Sequence, residues 1–253
     1  MQQRTRVTAA ADALVNIVGR VAVRLWVRTS DLSDRSLPRP DSPDLRPEPA
    51  HDADRLLLLG NGATVGYGVL SHDLSLAGHL ARQLTRATGR ATHVHVESDG
   101  AMTARTALSV AQSVDLERLD GIVVTVGINE VLALSSIRRW DREIAQFIDY
   151  VLSPSVPGLE TFMVAVPRLR SVADTPRLVR WLTERHTLRL NASLKAACDA
   201  NNRFTFVPFD PERRREDTGY RSTDVYREWA GLIVEPIARE LSTHRPRTVE
   251  TSP

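Results

Sequence analysis

From Arg55 onward, short apolar runs of strand length alternate with longer amphipathic stretches, and this alternation constrains the fold more than any single motif. The runs fall at Arg55 to Leu59, His93 to Glu97, Ile122 to Val126, Thr161 to Val166 and Phe204 to Val207. Between and after them, apolar residues recur at helical spacing, roughly over Leu74 to Thr88, Thr103 to Ser113, Ile137 to Leu152, Pro176 to Ala200 and Thr223 to Ser242. Strands separated by helices predict parallel βαβ units, with any ligand held by the loops that follow the carboxyl ends of the strands.

The flanking segments read differently. Val7 to Arg28 is rich in Ala, Val, Leu and Ile, yet Asp12, Asn16, Arg20, Arg24 and Arg28 recur every fourth residue and form one polar stripe. We therefore expect residues 1–28 to hold an amphipathic helix. Its charges interrupt both a membrane span and a signal-peptide core, so it is expected to pack onto its own domain or a second subunit, or to make peripheral contact with a membrane. Residues 29–54 carry prolines at 38, 40, 43, 47 and 49 and read as a linker. The domain proper is expected over 55–243, with a tail at 244–253. From the apolar face beyond the linker we expect the N-terminal helix to be dispensable for the fold but needed for solubility or assembly.

Charge and cysteine content exclude several classes. Thirty-three basic against 31 acidic residues leave a net +2 without clustering along the chain, which argues against a nucleic-acid face. Cys198 is the single cysteine, so neither an internal disulfide nor a CxxC redox or zinc motif exists, and a reducing, cytoplasmic location is expected. Its helical spacing with Leu194 makes it a buried apolar residue rather than a nucleophile. His93 and His95 share one strand face without a third ligand, so no metal and no cofactor is expected.

The strand-end loops hold the informative residues. Gly60-Asn61-Gly62-Ala63-Thr64-Val65-Gly66-Tyr67-Gly68 follows the first strand, and no helix begins at once, which argues against a dinucleotide fingerprint. Ser98-Asp99-Gly100-Ala101-Met102-Thr103-Ala104 follows the second strand and Gly127-Ile128-Asn129-Glu130 the third. Near the C-terminus lies Asp217-Thr218-Gly219-Tyr220-Arg221-Ser222, continuing to Tyr226, Trp229 and Ala230. In this order and spacing the four segments resemble the four blocks of the SGNH (GDSL-type) hydrolases, over roughly Arg55 to Leu241. The resemblance implies a flavodoxin-like three-layer α/β/α sandwich around a five-stranded parallel sheet. It also implies that Gly100 and Asn129 are oxyanion donors, together with the backbone at Gly62.

The departures from that family bear on activity. Gly62 stands where the family keeps its nucleophilic serine and Tyr220 where it keeps the histidine, while Asp217 stands at the aspartate that would orient the histidine. Asn61 and Glu130 replace supporting carboxylates of the first and third blocks. A glycine has no nucleophile, and a phenol titrating near 10 is no base at neutral pH. Ser71-His72-Asp73 reads first as a helix N-cap, and Thr64 and Thr103 as hydroxyls bonded to their own turns. Arg138 and Arg139 read as an exposed first helical turn and Trp140 as a cover over the core. The leading expectation is a catalytically silent relative that binds a small acyl, glycosyl or anionic ligand, or a protein partner, in the former cleft. The alternative is an esterase or acyltransferase with a non-standard nucleophile or base.

Overall fold

The computed structural model describes residues 19–29, 37–40, 53–154, 156, 158–169, 175–211 and 222–244. Helix α1 covers residues 19–29. There follow β1 (Asp54–Gly60), α2 (Leu76–Thr88), β2 (Thr92–Ser98), α3 (Ala104–Ala111), β3 (Gly121–Thr125), α4 (Ile128–Leu132), α5 (Ile137–Val151), β4 (Glu160–Val164), α6 (Arg177–Asp199), β5 (Phe204–Val207) and α7 (Thr223–His244). Every expected strand is present, each within one or two residues of its expected ends.

The five strands pair in parallel in the order β2-β1-β3-β4-β5. From β1 the chain steps to one side for β2 and then returns to the other side for β3, so the crevice at the switch point opens between the loops after β1 and β3. Both sheet faces are covered, which explains why the strands read as apolar runs. Leu57 and Leu59 of β1 join Ile122 and Val124 of β3 beneath α3, α5 and α6. Leu56 and Leu58, one position out of phase, join Val123 and Phe162 beneath α2 and α7. Each of these leucines is fully buried, and each such burial stabilises the fold by about 1.5 to 3 kcal/mol.

The start of α2 corrects the capping expectation. His72–Leu74 forms a separate 3₁₀ turn, and Ser71 makes no capping bond. Ser75 is the N-cap, its Oγ accepting from the Ala77 N–H, so the helix begins two residues later than its apolar pattern suggests. Cys198 is buried on the inner face of α6 as expected, where burial, aided by Asp199, pushes its thiol up to about 12.

The described segments before β1 both contact the domain. Val23 and Trp26 of α1 are buried against Val179 and Leu182 of α6 and against Leu134, and the Arg20 guanidinium donates to the Leu134 carbonyl. The expected linker also touches the domain. Pro38 accepts from the Gly68 N–H at 2.9 Å, and the Arg39 guanidinium lies 5.3 Å from the Tyr67 ring centroid. Asp54, at the expected end of the linker, already belongs to β1, where its buried carboxylate pairs with Arg90 at 2.9 Å.

Candidate functional site

Asn61, Gly62 and Gly100 lie in the loops after β1 and β2, and Asn129 and Glu130 in α4 directly after β3, so that all five meet at the carboxyl edge of the sheet. Asp217 and Tyr220 lie outside the described residues. Gly62 opens a 3₁₀ turn (Gly62–Val65) directly after β1 with a φ of +58°, in the left-handed region that favours glycine. A Cβ built on Gly62 would meet no atom within 4 Å. The side-chain direction at Gly62 therefore faces open space.

The side chains near it bond to the backbone of residues 100–104. Asn61 is buried, and its Nδ2 donates to the Met102 carbonyl at 2.6 Å. The resemblance makes Asn129 an oxyanion donor, but here its Nδ2 donates to the Gly100 carbonyl at 3.0 Å and to the Met102 carbonyl at 2.7 Å. Both of its amide protons are thus engaged with the loop after β2. The Glu130 Oε1 accepts from the Ala104 N–H at 2.8 Å, capping the first turn of α3, while Oε2 has no hydrogen-bond partner among the described residues. Burial pushes this carboxyl above the usual carboxylate range, and nearby Glu143 adds to the effect. Three residues expected at the cleft therefore share one physical task, holding residues 100–104 in place.

Gly100 has a steric reason to be glycine. A Cβ there would collide with the Tyr67 hydroxyl, which packs directly over its α-carbon. Tyr67 is itself fixed, since the fully buried Tyr226 donates its hydroxyl to the Tyr67 carbonyl at 2.8 Å. Sequence reasoning placed Tyr67 and Tyr226 in family-like blocks but gave neither a role. Tyr67 brings a hydroxyl to the cleft, and only its position between two glycines hinted at a close approach.

The other candidates have structural partners. The Thr64 and Thr125 hydroxyls bond each other at 2.5 Å, and Thr103 caps α3 in a reciprocal pair with Thr106. Arg138 and Arg139 are exposed, and Trp140 is fully buried over the core. His95 lies 3.0 Å from Glu97 along β2. Among the described residues, no three His, Cys, Asp or Glu side chains are placed to hold a metal ion. One histidine without a role in the sequence reading stands against the start of α7. The His79 Nε2 lies 2.8 Å from the Thr223 Oγ1 at the start of α7, its Nδ1 faces Arg82, and burial lowers its pKa.

Solved structures share this architecture. The inhibitor-bound aryl esterase of M. smegmatis matches with a TM-score of 0.56 at 19% identity, over 75% of this chain and 99% of that one. The monoethylphosphonate-inhibited esterase EstA of Pseudoalteromonas sp. gives 0.56 at 12% identity, over 75% and 99%. A family two carbohydrate esterase of Cellvibrio japonicus gives 0.56 at 12% identity over 79% of this chain, which spans 64% of that esterase's length. No family model matches the sequence. No curated protein matches it either. The chain has the SGNH hydrolase fold.

Proposed function

We propose that this chain uses an esterase scaffold to bind, without cleaving, a small acyl, glycosyl or anionic ligand at the switch-point crevice. The observation that carries this reading is Gly62. The sequence places a residue with no side chain where the fold's esterases need a nucleophile, and the space a serine would fill is open. In the Ser-His-Asp relay, the serine oxygen attacks the acyl carbon while the histidine removes its proton. Gly62 supplies no oxygen, Tyr220 in the histidine's place supplies no neutral-pH base, and the Thr64 hydroxyl is bonded to that of Thr125. The ligand class follows from the scaffold, since the structural neighbours are an aryl esterase and a carbohydrate esterase.

Hydrolysis of a short p-nitrophenyl ester tests the reading. The wild type should show no turnover above background, because loss of triad members costs on the order of 10⁴ to 10⁶ in kcat. Gly62→Ser and Tyr220→His should each stay silent, while the two together should restore weak turnover, since neither half of a relay works alone. Wild-type turnover abolished by replacing Thr64, Ser71 or His72 would instead identify a working esterase with another nucleophile or base.

A further inference from the structure

Exposed apolar side chains are concentrated in one place. Among the described residues, eight large hydrophobic side chains are strongly exposed, and five of them (Val21, Leu25, Leu178, Trp181 and Leu188) lie on α1 and the first half of α6. These two helices pack against each other through Val23, Trp26, Val179 and Leu182. Along α6, Leu178, Trp181, Arg185 and Leu188 follow at intervals of three or four residues and form a single outward stripe. Val179 and Leu182, which hold α1, each lie one position round the helix from that stripe. On α1, Val21 and Leu25 are one turn apart and point away from the buried Val23.

The charge around these side chains is predominantly positive. Residues 19–29 and 177–189 together contain seven arginines and one acidic residue, Glu184, although the whole chain carries only +2. Arg24, Arg28, Arg177 and Arg189 are exposed and make no ion pair among the described residues. Trp181 is 50% exposed, with the Arg185 guanidinium 5.4 Å from its ring centroid. No described helix is long and apolar enough to cross a membrane.

We propose that the joint outer face of α1 and α6 docks on an anionic lipid surface. Such a surface offers negative headgroups to the arginines and a hydrocarbon boundary to the leucines and Trp181, and an indole prefers that boundary. A nucleic acid would satisfy the arginines but leave the leucines against water. A protein partner would have to be acidic and apolar in the same pattern. The two helices lie in the plane of the membrane and do not enter its core.

Flotation of the full chain with vesicles tests this. Phosphatidylcholine vesicles containing phosphatidylglycerol should carry the protein, and vesicles of phosphatidylcholine alone should not. High salt should weaken the binding. Arg24→Gln with Arg28→Gln should lower affinity by about fivefold per arginine, about 25-fold for the pair. Leu178→Ser with Trp181→Ser should lower it on the order of tenfold. All four residues are exposed, so thermal melting should match wild type. Lipids brominated along the acyl chain should quench wild-type fluorescence and lose that quenching in the Trp181→Ser chain. No flotation at low salt, or flotation untouched by both pairs of substitutions, would overturn the proposal. So would self-association or nucleic-acid binding that the same substitutions abolish while vesicles remain unbound.

Discussion

The loop at residues 100–104 and the turn at Gly62 border the same crevice, but the rest of the chain treats them differently. The loop is tied by two amide side chains and a carboxylate: Met102 accepts from both Asn61 and Asn129, Gly100 accepts from Asn129, and Ala104 donates to Glu130. A tyrosine hydroxyl seals it from above. At Gly62 nothing occupies the side-chain direction. Two segments at one crevice can thus be constrained independently, one held by side chains from the loop after β1 and from α4, the other left bare on its side-chain side.

Loosening the tied loop should give the largest effect. Asn61→Ala with Asn129→Ala deletes three hydrogen bonds at about 1 kcal/mol each and leaves the Met102 carbonyl poorly satisfied, so the fold should lose about 3 kcal/mol. The two single changes should together cost less than the pair, because in each the other amide still holds the shared carbonyl. Urea titration of the three variants checks this. Costs that simply add would mean the two amides do not share the loop.

How far this arrangement was legible in the sequence differs between fold and site. The strands β1, β3 and β4 could be read because burial on both faces demands apolar residues at nearly every position, a requirement that does not depend on neighbours far along the chain. Helix α4 was not, since five residues at Ile128–Leu132 are too few to display a helical period. The residue types of the site were visible, but the direction of Asn129 was not. An amide at a loop can face a ligand or a carbonyl, and the choice depends on where the loop after β2 runs. The contact between Gly100 and Tyr67 was hidden for the same reason, because it joins two loops through a third dimension that a pattern of residues does not contain.

A pair of alanine substitutions sharpens the contrast at intermediate magnitude. Gly100→Ala drives a methyl into the Tyr67 hydroxyl and should cost about 1 to 3 kcal/mol as overpacking, most of it recovered when Tyr67→Phe is added. Gly62→Ala meets no atom, and its cost should be only the left-handed backbone, about 1 to 2 kcal/mol, with no rescue by Tyr67→Phe. Thermal melts of the four variants decide between these. Rescue at both positions, or at neither, would erase the distinction between a packed glycine and a bare one.

The smallest expected effect concerns acidity. Glu130 has its pKa raised by burial, so the folded chain retains a proton that the unfolded chain releases at the ordinary carboxylate pKa. Its contribution to stability is fully present below the ordinary pKa and is lost as pH rises through the raised one. Glu130→Gln keeps an acceptor for the Ala104 N–H and cannot ionise, so its melting temperature should vary less across that range than the wild type's. An identical slope in both proteins would assign the titration to another group.

Cys198 gives the molecule an internal clock. Its sulfur is sealed in the layer of α5 and α6, and a thiol pushed up to about 12 has almost no reactive thiolate at neutral pH. A disulfide reagent therefore ignores the native chain and marks each molecule once, at the moment α6 lifts from the sheet. With a single cysteine in the sequence, the rate of labelling is the rate or the population of that opening, read without any added probe.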